Sequence, residues 1–350
     1  MRDLLPDLDR WHGDHDSIAL ATVIQTWGSA PRRAGSMMAL TLDGKISGSV
    51  SGGCVESAVV EAGIESLQSG QPRLLHFGVS DETAWEVGLA CGGTIEVFVQ
   101  PLAPDAFRAR RAALLDEVSA ACATIVRSSA EILGREILLR EDGTLTGSVG
   151  PDWDESVLRL ARQALADGTT RRVPLDESVE VFVESILPPP TIVVVGGAHI
   201  AMALVTLAKT LGYRTIVIDP RKAWGNARRF PNVDQLIQAW PEEAFKQLPL
   251  TRSTAVVMLS HDPKLDDPAL KITLPGPAFY VGALGSRSTQ VKRRERLLEA
   301  GLSEAQVARL HAPIGLPIGA ETPEEIALAI MAQVVEAAHQ QARQGEAQVH

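Results

Sequence analysis

From residue 191 onward, short apolar runs alternate with segments of helical period. TIVVV (191–195) is apolar without a break, as expected of a parallel strand buried on both faces. A helix over 199–211 follows, then strands at 215–219, 255–260 and 278–282, with helices filling much of the sequence between them. Thr322-Pro323-Glu324-Glu325 combines an N-cap, a proline at the first helical position and a capping-box glutamate. It opens a last helix running to about 338. The alternation predicts a Rossmann-like, doubly wound parallel sheet over 191–338. The polar remainder, 339–350, reads as a flexible tail.

Before residue 188 the pattern is different and occurs twice. DGKISGSVSGGCVES (43–57) is echoed 99 residues on by DGTLTGSVGPDWDES (142–156), with Asp, Gly, Gly-Ser-Val and Glu-Ser in register. Ala21-Thr22-Val23-Ile24 returns as Ala123-Thr124-Ile125-Val126, and Glu96-Val97-Phe98-Val99 as Glu180-Val181-Phe182-Val183. Each copy reads as two strands joined to a third through an Asp-Gly turn, then a helix (55–69 and 155–167), then a terminal strand. Residues 1–187 are therefore an α+β domain of two degenerate copies, about 17–103 and 120–187. Pro188-Pro189-Pro190 is a stiff linker between the two domains.

Composition narrows the function classes. The 350 residues suffice for two or three domains, each with its own core. Aromatics are only 4% of the chain, so those cores are aliphatic. A formal charge of −10 argues against nucleic acid and anionic membranes as partners. Three cysteines without CxxC spacing form no disulfide framework and fit a reducing, cytoplasmic setting. The charged start is no signal peptide, and no apolar run approaches the roughly 18 residues of a membrane span.

Candidate chemistry concentrates where the first copy departs from the second. Ser51-Gly52-Gly53-Cys54 stands where the second copy has Gly150-Pro151-Asp152-Trp153. Cys54 directly precedes a helix, whose dipole favours a thiolate, and the glycines allow a ligand to come close. The loop suits an anion or a soft metal; its bland alternative is a buried apolar thiol. Cys91 lies in GLACGG (88–93), within a stretch the second copy lacks, whereas Cys122 reads as core. Arg32 and Arg33 sit in a loop that can hold phosphate or carboxylate. In the second domain, Gly196-Gly197-Ala198-His199 occupies the place of a dinucleotide-binding turn, and Asp219 that of a ribose-binding acid. The second glycine of the fingerprint is Ala198, which weakens a pyrophosphate cradle. His261 and His311 are candidate acid–base groups should the domain bind a nicotinamide.

These segments resemble the xanthine dehydrogenase accessory factors and their carbon monoxide dehydrogenase maturation relatives. The resemblance rests on GSAPRRAGSMM (28–38), GSVSGGCVE (48–56), GLACGG (88–93), VVVGGAHIA (193–201), VIDPR (217–221), SHD (260–262), YVGALGSR (280–287) and HAPIGLPIGAETPEEIALAI (311–330). It implies a chaperone that binds the molybdenum cofactor (molybdopterin), holds it during sulfuration and passes it to an apo-hydroxylase. On that reading Cys54 is the cofactor-contacting thiol and a molybdenum ligand, and Cys91 is the second candidate. Ser51, Gly52, Gly53, Arg32 and Arg33 would surround the cofactor, with Gly196, Gly197, His199 and Asp219 on the Rossmann side. Expected partners are a xanthine dehydrogenase-type hydroxylase, a cysteine desulfurase and a second copy of the chain, with no small-molecule turnover. The alternative is an NAD(P)-dependent oxidoreductase using the Rossmann domain.

Overall fold

The structure is a computed structural model that describes residues 1–14, 17–28, 32–78, 93–129 and 131–347. The chain divides into two compact units, Met1–Leu187 and Pro188–His350. The first opens with a 3-10 turn, Arg2–Leu4, and helix α1, Leu5–Gly13. Then come β1 (Ile18–Trp27), β2 (Met37–Thr41), β3 (Ile46–Gly48), α2 (Glu56–Ser69), β4 (Arg73–Phe77) and β5 (Thr94–Pro101). The second copy repeats the series as α3 (Pro104–Leu115), β6 (Ala120–Arg127), β7 (Glu136–Arg140), β8 (Leu145–Gly147), α4 (Asp154–Asp167), β9 (Arg171–Pro174) and β10 (Glu180–Ile186).

The two sheets have one topology, β3-β2-β1-β5-β4 and β8-β7-β6-β10-β9. Two features exceed the sequence pattern. Each copy is led by a helix, α1 or α3, and so begins before the expected limits of 17 and 120. Each also has a strand after its central helix, β4 or β9. These edge strands carry no clean alternation of buried and exposed residues, so periodicity does not mark them.

Burial explains the apolar central strands. Ala19, Ala21 and Val23 of β1 face Val55 and Val59 at the start of α2, and Ala121, Ala123 and Ile125 of β6 face Val157 and Ala161 of α4. The opposite faces share a core in which Leu20, Met37 and Ala39 meet Cys122, Leu138 and Ile186, closed by Trp11 and Phe107. Cys122 is fully buried there, and burial pushes its thiol pKa up. Each central strand carries a bulge, at Ile24 and at Val126. A bulge re-aims its extra residue, and these two meet Phe98 and Phe182 in one cluster joining the copies. Arg172 adds a polar link, reaching Gln25 at 3.1 Å and pairing with Glu96 and Glu180.

The second unit contains β11 (Thr191–Val195), α5 (His199–Thr210), β12 (Arg214–Ile218), β13 (Gln235–Ile237), α6 (Pro241–Lys246), β14 (Thr254–Met258) and α7 (Pro263–Thr273). It ends with β15 (Tyr280–Ala283), α8 (Arg287–Glu299), α9 (Glu304–Val307), β16 (Leu310–His311) and α10 (Pro323–Ala347). All paired strands are parallel, in the order β13-β12-β11-β14-β15-β16. The order reverses between β11 and β14, which is where a doubly wound sheet opens its ligand crevice. Val193 and Val195 pack toward α7, and Ile192 and Val194 toward α5 and α10, so TIVVV is buried on both faces. Helix α10 runs to Ala347, past the expected end near 338 and into the segment read as a flexible tail. Its extension, HQQARQGEA (339–347), is rich in Gln and Ala, which favour helix whatever their polarity. No helix among the described residues is long and apolar enough to cross a membrane.

The shared Gly-Ser-Val has a steric cause. Gly147 has φ +88°, and a Cβ on it would lie 2.2 Å from the Glu136 carbonyl oxygen; Gly48, at φ +81°, would meet the Met37 carbonyl oxygen at 2.5 Å. Gly147→Ala is expected to cost about 1–3 kcal/mol through backbone strain. Thermal unfolding checks this: an unchanged midpoint would mean that the turn accepts a side chain.

Candidate functional site

The loop between β3 and α2 is organised by the first residue of the helix. Glu56 Oε1 accepts from Ser49 Oγ (2.7 Å) and from the backbone N–H of Ser51 (2.9 Å) and Gly52 (3.0 Å). Its Oε2 accepts from Ser51 Oγ (2.6 Å) and from the N–H of Gly53 (2.9 Å) and Val55 (3.2 Å). Ser51, itself buried, accepts from the N–H of Cys54 at 3.0 Å. The donors of the loop thus point inward. Gly52 (φ +87°) and Gly53 (φ +121°) supply the left-handed backbone that this requires, and a Cβ on either would meet no atom within 4 Å. The outer surface is open, and Cys54 is exposed on it.

This changes the chemistry read from the sequence. The N–H groups expected to be available for an anion are already bonded to a carboxylate of the chain. Burial opposes ionisation of Glu56, but hydrogen bonds from Ser51 and Ser49 and from the backbone outweigh it and hold the pKa at about 2. What the loop offers outward is a thiol. Glu56 itself is not singled out by the sequence, where the matched Glu-Ser sets it against Glu155.

The second copy uses the same device in a closed form. Asp154 accepts from Ser148 Oγ (2.7 Å) and from the N–H of Val149 (2.8 Å) and Gly150 (3.2 Å). Asp154, not Glu155, is therefore the counterpart of Glu56, and the register slips by one residue inside the loop. The first copy has one more residue between serine and acid, and an acid longer by one methylene spans it. Trp153 and Ile132 pack onto the core beside the second loop. In the first copy Arg33 takes the place of Ile132, and Arg32 that of Glu131.

Arg32 and Arg33 are exposed and form no ion pair with a described residue. With Ser36, Ser49, Thr170 and Glu184 they line a cavity of about 460 Å³. Ser49 belongs both to this cavity and to the Glu56 network, so the arginines and the SGGC loop share a boundary residue. Cys91 lies outside the described residues, as do Ser29, Ala30 and Pro31 of the arginine loop. Among the described residues no group of three or more His, Cys, Asp or Glu side chains is arranged to hold a metal ion.

In the second unit the Gly196-Gly197 turn lies at the sheet's switch point, but Asp219 is not free for a ribose. It is fully buried; Oδ1 accepts from the N–H and Nε of Arg221 (both 2.9 Å), and Oδ2 from Gly197 N–H and Arg221 Nη2 (both 2.8 Å). Burial would raise its pKa, yet these bonds lower it. The glycines are required by close packing: a Cβ on Gly196 would lie 2.7 Å from Ser260 N, and one on Gly197 2.6 Å from the Trp224 carbonyl oxygen. Ala198 has an ordinary φ of −73° and caps α5, so the backbone there needs no glycine. His199 is exposed in the first turn of α5. His261 is exposed at φ +59°, and His311 stacks on Tyr280 at 4.6 Å, where burial lowers its pKa.

Glu56→Gln keeps the shape of the latch and removes its charge. It is expected to cost about 1–3 kcal/mol in thermal unfolding, since the lost bonds are charge-assisted. The folded pKa of Glu56 is depressed, so its contribution is present above about 4.5 and is lost as pH falls from there through about 2. Amide exchange of residues 51–55, corrected for intrinsic rate, should lose protection over that window. In Glu56→Gln the protection should already be reduced at neutral pH; equal protection in the variant would deny the latch.

The comparisons agree with both units. Residues 192–334 match the model of the XdhC Rossmann domain, and residues 11–78 and 90–176 match that of the XdhC and CoxI family. A Bacillus subtilis (strain 168) protein, named as a probable subunit of xanthine dehydrogenase, is 29% identical over 337 residues, covering 94% of this chain and 96% of its own. An Escherichia coli (strain K12) protein named molybdenum cofactor insertion chaperone PaoD is 26% identical, covering 90% of this chain and 81% of its own. A crystal structure from Bacillus halodurans, described as a xanthine dehydrogenase, superposes with a TM-score of 0.74 at 25% identity and covers 97% of this chain and 96% of that one. With its glycine–cysteine loop, its duplicated α+β unit and its Rossmann unit all matched, the chain belongs to the XdhC and CoxI family.

Proposed function

We propose that this protein is a molybdenum cofactor-binding chaperone: it holds the cofactor during sulfuration and hands it to an apo xanthine dehydrogenase-type hydroxylase. The observation that carries the reading is the exposed Cys54 thiol on a loop whose own donors are satisfied by Glu56. Such a loop presents a soft ligand on a rigid base and little else. A thiolate suits molybdenum, which the cofactor already binds through sulfur. The cofactor's phosphate would fall to Arg32 and Arg33. The relative named as a molybdenum cofactor insertion chaperone supports the same role. In this reading the cofactor is cargo, the chain turns over no small molecule, and the working form is a cytoplasmic homodimer. A cysteine desulfurase is the sulfur donor that such a handover calls for.

The NAD(P)-dependent oxidoreductase alternative is less well supported. It needs an acid that accepts from the ribose hydroxyls, and Asp219 is committed to Gly197 and Arg221. The test is retention of cofactor by purified protein, read as molybdenum per protomer after gel filtration. The parent protein should keep about one equivalent, and Cys54→Ala should lose most of it. Arg32→Ala/Arg33→Ala should weaken retention by roughly tenfold, the scale of losing a charge-assisted bond to phosphate. Full retention by Cys54→Ala would remove the thiol from the mechanism.

A further inference from the structure

The duplication places a second cavity where the first copy has its arginine-lined one. It measures about 810 Å³. Gly134, Arg135, Gly147 and Ser148 border it, and 99 residues earlier Gly35, Ser36, Gly48 and Ser49 border the first. Gln100 of the second cavity and Glu184 of the first are equivalent too, because each follows the repeated Glu-Val-Phe-Val. The chemistry differs between the two. Pro72, Pro101, Leu133 and Leu138 give the second cavity apolar walls.

Several polar side chains around it are already engaged. Glu136 accepts from Arg110 Nη2 at 3.0 Å, Asp105 pairs with Arg108, and Ser148 Oγ donates to Asp154 at 2.7 Å. The Gln100 amide, the Thr146 hydroxyl and the exposed Arg135 guanidinium have no side-chain partner among the described residues. Gln100 stands out, because it lines the cavity while only 8% exposed. Its equivalent, Glu184, accepts from Arg110 Nη1 at 2.6 Å. Buried amides are ordinarily hydrogen-bonded, since leaving one unpaired is costly. A Cβ on Gly134 would lie 2.9 Å from Gln100 Oε1 and 2.6 Å from the Pro72 ring, so the glycine leaves room beside the amide.

We propose that this cavity binds a flat lactam ring, of the oxopyrimidine or oxopurine type, that carries one negative charge. A primary amide holds a donor and an acceptor in one plane, which match the adjacent C=O and N–H of a lactam edge. Proline and leucine walls suit the faces of such a ring, and the volume is that of a small-molecule site. The charge follows from the pairing of the lining residues. Arg108 is matched by Asp105 and Glu136 by Arg110, which leaves Arg135 to receive an anion. The site is independent of Cys54 and does not rest on the chaperone reading.

Calorimetric titration of the full chain with orotate, urate, uracil and benzoate tests the site. Orotate carries lactam and charge on one ring and urate on two; uracil has the lactam alone and benzoate the charge alone. At least one of orotate and urate is expected to bind saturably, about tenfold or more tighter than uracil or benzoate. Which of the two binds tighter tells a one-ring from a two-ring ligand, and either order supports the site. Gln100→Met should weaken the lactam probes by about tenfold and leave benzoate unchanged. Arg135→Gln should weaken the charged probes and leave uracil unchanged, and Cys54→Ala should bind as the parent does. Because the amide has no partner within the chain, Gln100→Met should not lower the thermal unfolding midpoint. A lowered midpoint, no saturable binding of orotate or urate, benzoate bound as tightly as they are, or binding that ignores both substitutions would overturn the proposal.

Discussion

The Glu56 carboxylate fixes the loop that presents Cys54. A loop with two adjacent glycines has many conformations in a free chain, and ordering it is costly in entropy. Here the backbone N–H groups of Ser51, Gly52, Gly53 and Val55 converge on one charged acceptor, which also holds the Ser49 and Ser51 hydroxyls. Bonds to a charge are the stronger kind. They turn an adaptable segment into a platform, and because they satisfy the donors internally they leave the thiol of Cys54 as the group presented to solvent.

The duplicated copy acts as an internal control. It keeps the Asp-Gly turn, the serine, the helix-initial acid and the sheet order, so the scaffold alone does not require a cysteine. Where the first copy has Arg33, the second has Ile132, which packs with Trp153 on the hydrophobic core. A loop sealed by apolar side chains and a loop flanked by arginines differ in what they admit, although their backbones are held the same way. The bulged residues Ile24 and Val126 and the ion pairs of Arg172 join the two copies into one unit.

In the Rossmann unit, conformational demand and close packing also divide the roles of small residues. Gly196 and Gly197 leave no room for a side chain against Ser260 and Trp224, while Ala198 has room and an ordinary backbone. A departure from the dinucleotide fingerprint therefore does not disturb the turn. The buried Asp219 ties the turn to Arg221. An acid at the position of a ribose ligand has become a structural tether.

Much was legible in the sequence because it follows from local rules. The triple proline marked where the chain divides, the Asp-Gly pairs marked the turns, and TIVVV marked the central parallel strand. The SGGC loop stood out because its counterpart lacks the cysteine. The edge strands β4 and β9 were not legible, since neither alternates buried with exposed residues. Nor was the extent of α10, because a polar helix and a polar tail have similar composition. The slip that pairs Glu56 with Asp154 needed coordinates, because a gapless match of letters cannot show which carboxylate reaches the loop. The sequence by itself determined the units, the duplication and the position of the cysteine. The tertiary structure alone decided which polar groups are already bonded within the chain and which remain for a ligand, because hydrogen-bond partners are set by distances in space and not by spacing along the chain.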